Sequence, residues 1–133
     1  AWRLGIGEDA VSTTIRSYRD LVVWQLGMNL VRSIYELTGP FPRDELFGLT
    51  SQLRRAAISV PSNIAEGDAR DSRKEYLHHL SISLGSLAEV ETQLLLASQL
   101  GYCPRETIDR VLMETNELGR KLRGLQKSLK AKV

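Results

Sequence analysis

The sequence predicts an all-α protein, an up-down-up-down antiparallel four-helix bundle with a proline-kinked second helix. Three observations carry that prediction. Apolar residues recur at spacings of three and four along four long stretches, the period of a helix face. The breaks between stretches are short and hold Gly39, Pro40, Pro42, Gly101 and Pro104, or the polar run 68–72, and short connections join antiparallel neighbours. The apolar rhythm of the second stretch runs on past Pro61. A proline there removes one i→i−4 hydrogen bond and crowds a carbonyl of the preceding turn, which bends a helix without ending it.

Residues 1–18 show no sustained period and are rich in Gly, Ser and Thr. They read as a flexible arm, ordered at most where Trp2 or Ile15 packs on a neighbour, with the bundle domain at 19–133. Asp20 is placed to cap a first helix over 21–38. That helix carries two apolar stripes: Leu21, Trp24, Met28, Val31 and Tyr35, and Val23, Leu26, Leu30, Ile34 and Leu37. One bundle needs one stripe per helix, so the second is assigned to an interface between copies, which predicts a homo-oligomer. Gly39 and Pro40 end the helix.

Asp44 is placed to cap the second helix, over 45–69, whose face is Leu46, Leu49, Leu53, Ala56, Ala57, Val60 and Ile64. Arg54 and Arg55 precede the proline; Ser62, Asn63 and Glu66 follow it. These polar groups are either a binding surface or the partners of backbone freed by Pro61. Ser72 and Glu75 have capping-box spacing and open the third helix, which runs to about residue 100. Its core line is Leu77, Leu80, Leu84, Leu87 and Leu94, with Glu91 interrupting it. A buried carboxylate needs a partner, and Arg54 and Arg55 are the expected ones. Gly85, near Ser81 and Ser86, suggests a close helix–helix approach. Gly101 suits the C′ position and Pro104 the first turn of the fourth helix. There Ile108, Val111, Thr115, Leu118, Leu122, Leu125 and Leu129 form a coiled-coil-like seam.

A chain of 133 residues, 42% hydrophobic and 26% charged, fits one soluble globular domain. The single Cys103 excludes an intrachain disulfide, and no secretory h-region or uncharged run of membrane-spanning length occurs. A cytoplasmic protein with no membrane association is expected. The net charge of +2 is unevenly spread. After Leu118 come six basic residues and no acidic one, which leaves 12 basic against 16 acidic elsewhere. The carboxy-terminal end is therefore a cationic tip on a slightly acidic body.

No motif makes this chain an enzyme. Glu75 and His78 have the Glu-x-x-His spacing of di-iron bundles, but such a site needs a second pair, and the remaining His79 points about 100° away. Cys103 has no assignable base, no serine sits in a nucleophile elbow, and no glycine-rich phosphate loop is present. No catalytic residue, metal or cofactor is expected. The remaining lead is basic: Arg70, Arg73 and Lys74 at the start of the third helix, and Arg120, Lys121, Arg123 and Lys127 near the end of the fourth. These groups are expected at opposite ends of the bundle, as two patches that oligomerisation would have to join. Basic surface is the footprint of phosphate contact; a solvated helix end explains it as readily.

Several strings together resemble a known family: YRDL (18–21), VWQ (23–25), FP (41–42), EXFGL (45–49), SQXRRAA (51–57), PSNIAEG (61–67), SXKE (72–75), ETQL (91–94) and LGY (100–102). They are similar to the small four-helix-bundle proteins encoded in intervening sequences of bacterial 23S rRNA genes. The accessory variability determinant of diversity-generating retroelements resembles these in turn. The match covers about residues 18–125. The resemblance implies a barrel-like homopentamer of antiparallel bundles with a basic surface. For the retroelement members it also implies association with a reverse transcriptase and with RNA or DNA. By motif the cationic surface falls on Arg54, Arg55, Arg70, Arg73 and Lys74.

Overall fold

A computed structural model describes residues 17–131. The arm assigned to 1–18, with Trp2 and Ile15, thus lies almost wholly outside the described residues. Four long helices make the fold: α1 Val22–Thr38, α2 Leu49–Ala69, α3 Arg73–Gln99 and α4 Arg105–Ala131. Short 3₁₀ turns at Tyr18–Asp20 and Arg43–Glu45 precede α1 and α2. Among the described residues there is no strand, so the chain is all-α.

Each helix packs on two others, α1 on α2 and α4, and α3 on α2 and α4, which closes a ring of four around one core. Cross-helix bonds give the directions. Ser86 meets Ser59, Ser83 meets the Val60 carbonyl and His79 meets Asn63; positions fall in α3 as they rise in α2. Along α4, Thr115 bonds Glu91 of α3 and Gln126 bonds Ser81, again in opposite order. Neighbours are therefore antiparallel.

The helix ends follow local chemistry. Ser72 Oγ accepts from the Glu75 N–H at 3.2 Å, the first half of the expected capping box. The second half does not form, because the Glu75 carboxylate turns to Arg70 at 3.3 Å. A full box instead occurs at Ser17 and Asp20, so Asp20 serves the 3₁₀ turn and not α1. Gly101 stops α3 at φ 77°. Its N–H donates to the Ser98 carbonyl and the Tyr102 N–H to the Ala97 carbonyl, a Schellman pair that only a residue tolerant of positive φ closes cheaply.

Glu45, not Asp44, serves the start of α2. The helix begins at Leu49, later than expected, and Leu46 is half-exposed. The Leu49 N–H donates to Glu45 Oε1 at 2.9 Å and the Tyr102 hydroxyl to Glu45 Oε2 at 2.8 Å. A Cβ on Gly48 would stand 2.6 Å from that Oε1, so glycine lets the carboxylate reach the backbone. The two donors hold the Glu45 carboxyl below its usual range, the Leu49 N–H contributing most. A lowered folded pKa gives stability that is present above the unfolded value and lost as pH falls through the folded one. Glu45→Gln is expected to lower the melting temperature at neutral pH and to flatten its acid dependence, measured by calorimetry from pH 3 to 7.

Pro61 lies inside an unbroken α2. It is buried, and a Cβ on Gly27 would stand 3.2 Å from its ring, so α1 and α2 approach closely there. Gly85, where close approach was expected, has nothing within 4 Å of an added Cβ; it faces outward on α3.

The core takes the whole α4 seam from Ile108 to Leu129, together with Leu53, Ala57, Val60, Ile64, Tyr76, Leu80 and Leu94. It also takes the α1 stripe assigned to an oligomer interface. Val23, Leu30, Ile34 and Leu37 are buried within the single chain, Leu30 and Ile34 at 0% exposure, and Leu26 packs against them. That assignment is corrected: a side chain already sealed inside its own bundle has no surface left for a partner. The stripe turned outward is the other one, with Met28 and Tyr35 exposed and Trp24 and Val31 half-buried.

Candidate nucleic-acid interface

The structure separates the predicted cations into engaged and free. Arg54 is engaged. Its Nε donates to Thr38 Oγ1 at 2.8 Å and its guanidinium lies 4.3 Å from the Tyr35 ring centre, which fastens α2 to the end of α1. It does not pair with Glu91, whose carboxylate accepts from Thr115 Oγ1 at 2.8 Å. The expected ion pair is replaced by a hydrogen bond to α4. Arg70 is held between Glu66 at 2.8 Å and Glu75 at 3.3 Å. The Arg70 hydrogen bond lowers the Glu66 pKa, and Glu66 raises that of Arg70. Arg73 is also engaged. Much of the charge at the start of α3 is thereby already balanced.

The cations of α4 differ. Arg120, Lys121, Arg123 and Lys127 are exposed, as is Lys130, and none has an ion pair with the described residues. Arg120, Arg123, Lys127 and Lys130 follow at i, i+3, i+7 and i+10, one face of the helix over about 15 Å; Lys121 sits roughly 100° round from Arg120. No acidic residue follows Glu117.

The two cationic groups share one end of the molecule, contrary to expectation. The chain turns from α2 into α3 at residues 70–72, so α3 begins at that end. Antiparallel α4, whose Gln126 bonds Ser81 near that beginning, finishes beside it. Exposed Lys74 of α3 therefore lies at the same end as the α4 strip without any help from oligomerisation. Arg55 does not. It opens onto a groove of about 440 Å³ between α2 and α3, toward the other end.

The string PSNIAEG is buried at Pro61, Ile64 and Gly67 and open at Ser62 and Glu66. Glu66 holds Arg70. Asn63 Nδ2 donates to the Ser59 carbonyl at 2.9 Å and to Ser59 Oγ at 3.0 Å. That leaves Asn63 Oδ1 facing His79 Nδ1 at 3.0 Å, so His79 carries a proton on Nδ1 and turns Nε2 toward Glu66 at 3.9 Å. Ser83 Oγ donates to the Val60 carbonyl at 2.9 Å. Asn63 and Ser83 thus bond the carbonyls of Ser59 and Val60 in the turn before the proline, not the Ala57 carbonyl that Pro61 leaves without its i+4 donor.

Other chemistry is sparse. His78 stacks edge-on against His79 at 5.7 Å and Glu75 is taken by Arg70. Among the described residues no group of three or more His, Cys, Asp or Glu is placed to hold a metal. Burial pushes the Cys103 thiol up, away from the thiolate a nucleophile needs. No helix among the described residues is long and apolar enough to cross a membrane.

Sequence reasoning missed Phe47, which is 93% exposed at the mouth of the α2/α3 groove. A signal existed: Phe47 stands off the three-and-four rhythm that Leu49 and Leu53 keep.

A four-helix bundle with a strip of unpaired cations at one end defines the class of protein. Residues 19–124 match the family model of the 23S rRNA-intervening sequence protein, and the chain belongs to that family. The fold is similar to the crystal structure of a protein of unknown function from the S23 ribosomal protein family of Bacteroides thetaiotaomicron. The two share 24% identity and a TM-score of 0.72, over 80% of this chain and 96% of that one. No curated protein matches the sequence.

Proposed function

We propose that the protein is a non-enzymatic, cytoplasmic, homo-oligomeric bundle that binds RNA, or an RNA-containing complex, through the outer face of α4. The observation that carries this reading is the strip Arg120, Arg123, Lys127 and Lys130, free of carboxylate partners among the described residues and with Lys74 at the same end. Cations at that spacing contact phosphates with little regard for base sequence, and their affinity is set by counterion release. The resemblance to the accessory variability determinant supports two finer parts of the reading: a homopentamer, and a reverse transcriptase as the protein that the bound RNA or DNA would share.

The test is fluorescence anisotropy with a mixed-sequence RNA across a salt series. Reversing Arg120, Arg123 and Lys127 to glutamate together is expected to weaken binding at least tenfold at 0.1 M salt. It should also reduce the slope of log affinity against log salt by about 3, with the helical circular dichroism unchanged. An unaltered slope would remove the α4 face from the site.

A second reading, a protein-interaction scaffold without nucleic acid, is favoured by one observation. An apolar groove of about 320 Å³ runs between α1 and α2, lined by Tyr18, Trp24, Met28, Val31, Ile58 and Pro61. An oligomer of stable mass that shows no salt-dependent RNA binding decides for the scaffold.

A further inference from the structure

We propose that the groove between α2 and α3 is a site for an unpaired guanine of a single-stranded nucleic acid, stacked on Phe47. The inference rests on the nucleic-acid reading above and adds to it a second place of contact, where the base is read.

Four features meet in this groove. Phe47 lines its mouth with 93% of its surface open. An aromatic face so presented, with both Phe41 and Tyr102 packed elsewhere on each other at 5.5 Å, is a stacking platform without an internal partner. Arg55, eight residues further on in α2 and lining the same groove, is exposed and has no carboxylate partner among the described residues. Glu89 on the opposite wall is likewise exposed and unpaired. One turn along α3 from Glu89, Gln93 Oε1 is buried with no hydrogen-bond partner among the described residues, while its Nε2 reaches Gln52 Oε1 at 3.4 Å.

The chemistry of these groups selects the ligand. The exposed Glu89 carboxylate on this wall asks for a ligand edge rich in donors. A phosphate alone would be repelled by Glu89. A base with its edge turned to the carboxylate and its face on Phe47 suits both, and Arg55 is then free for the phosphate. Single-stranded bases are recognised in this manner, by aromatic stacking and hydrogen bonds to their Watson–Crick edges. Of the four bases, guanine alone offers adjacent N1–H and exocyclic N2–H₂ donors, which a carboxylate accepts together. The groove volume of about 440 Å³ falls within the range of small-ligand clefts.

The experiment uses the full chain and three labelled 12-nucleotide RNAs, all uridine, uridine with one central guanosine, and the same with inosine, which lacks the 2-amino group. Affinities are compared at one salt concentration by anisotropy, and assembly mass by light scattering. The guanosine strand is expected to bind about tenfold more tightly than the all-uridine strand, with inosine losing most of that gain. Phe47→Ala and Glu89→Gln should each abolish the preference at unchanged mass, and Phe47→Tyr should keep it. Arg120→Glu should weaken all three strands alike. Equal affinities for the three strands, with salt-dependent binding intact, would overturn the base site and leave the α4 reading standing. A fall in mass on Phe47→Ala would overturn it as well, making Phe47 an anchor between copies. Absence of binding to any strand would remove both readings.

Discussion

Leu30→Ala is expected to cost about 2–5 kcal/mol of protomer stability, the range for truncating a buried leucine. Leu30 is fully enclosed in the single chain, within the cluster of Ile34, Leu53, Leu118 and Leu122, so the lost methyl groups leave a cavity that four packed helices close only in part. For a domain whose total stability is on the order of 5–15 kcal/mol, that is a large share. Met28, two residues earlier and on the outer stripe, behaves oppositely. Met28→Glu should leave denaturant stability of the protomer nearly unchanged and reduce the mass of any assembly built on the α1/α2 face. The pair is measured by urea unfolding and light scattering. A Leu30→Ala variant that unfolds like the parent but falls apart into smaller species would return the Leu30 stripe to a boundary between copies.

That reversal of stripes shows what periodicity holds and what it withholds. Two apolar rows on one helix were visible in the sequence, and both are real. Which one faces inward is decided by the rotational setting of α1 against α2 and α4, fixed by Gly27 against Pro61 and by Ser33 Oγ donating to the half-buried Glu114 carboxylate. No spacing rule contains that information. The α4 seam needed no such choice, since it has one stripe, and every residue from Ile108 to Leu129 assigned to it is buried.

The candidate site was legible in part for a similar reason. Charge runs are one-dimensional, so the cations near the end of α4 could be read directly. Which cations are free is a three-dimensional matter: Arg54 is spent on Thr38 and Tyr35, and Arg70 on two glutamates. The expectation of opposite ends miscounts the helix directions at the α2–α3 turn: α3 begins where α2 ends, and antiparallel α4 finishes there too. Phe47 was legible in part. It stands off the rhythm of Leu46, Leu49 and Leu53, but only the start of α2 at Leu49 leaves it 93% exposed.

Gly67→Ala is expected to destabilise the bundle by about 1–3 kcal/mol, the cost of overpacking a close contact, although alanine is the better helix former by about 1 kcal/mol. An added Cβ would lie 2.8 Å from the His79 Cβ and 3.0 Å from a Tyr76 ring carbon. Neither can give way cheaply. Tyr76 is buried at 1% exposure, the His79 Cβ moves only with the α3 backbone, and the His79 ring is held by Asn63. Relief therefore requires α2 and α3 to part at the end where the chain turns between them. Gly85→Ala supplies the control. With nothing within 4 Å of its added Cβ, it should gain up to about 1 kcal/mol from helix propensity alone. Thermal unfolding of the two variants should thus shift in opposite directions. A Gly67→Ala protein as stable as its parent would mean that α2 and α3 do not approach closely at this turn, and the glycine of PSNIAEG would then need a reason other than space.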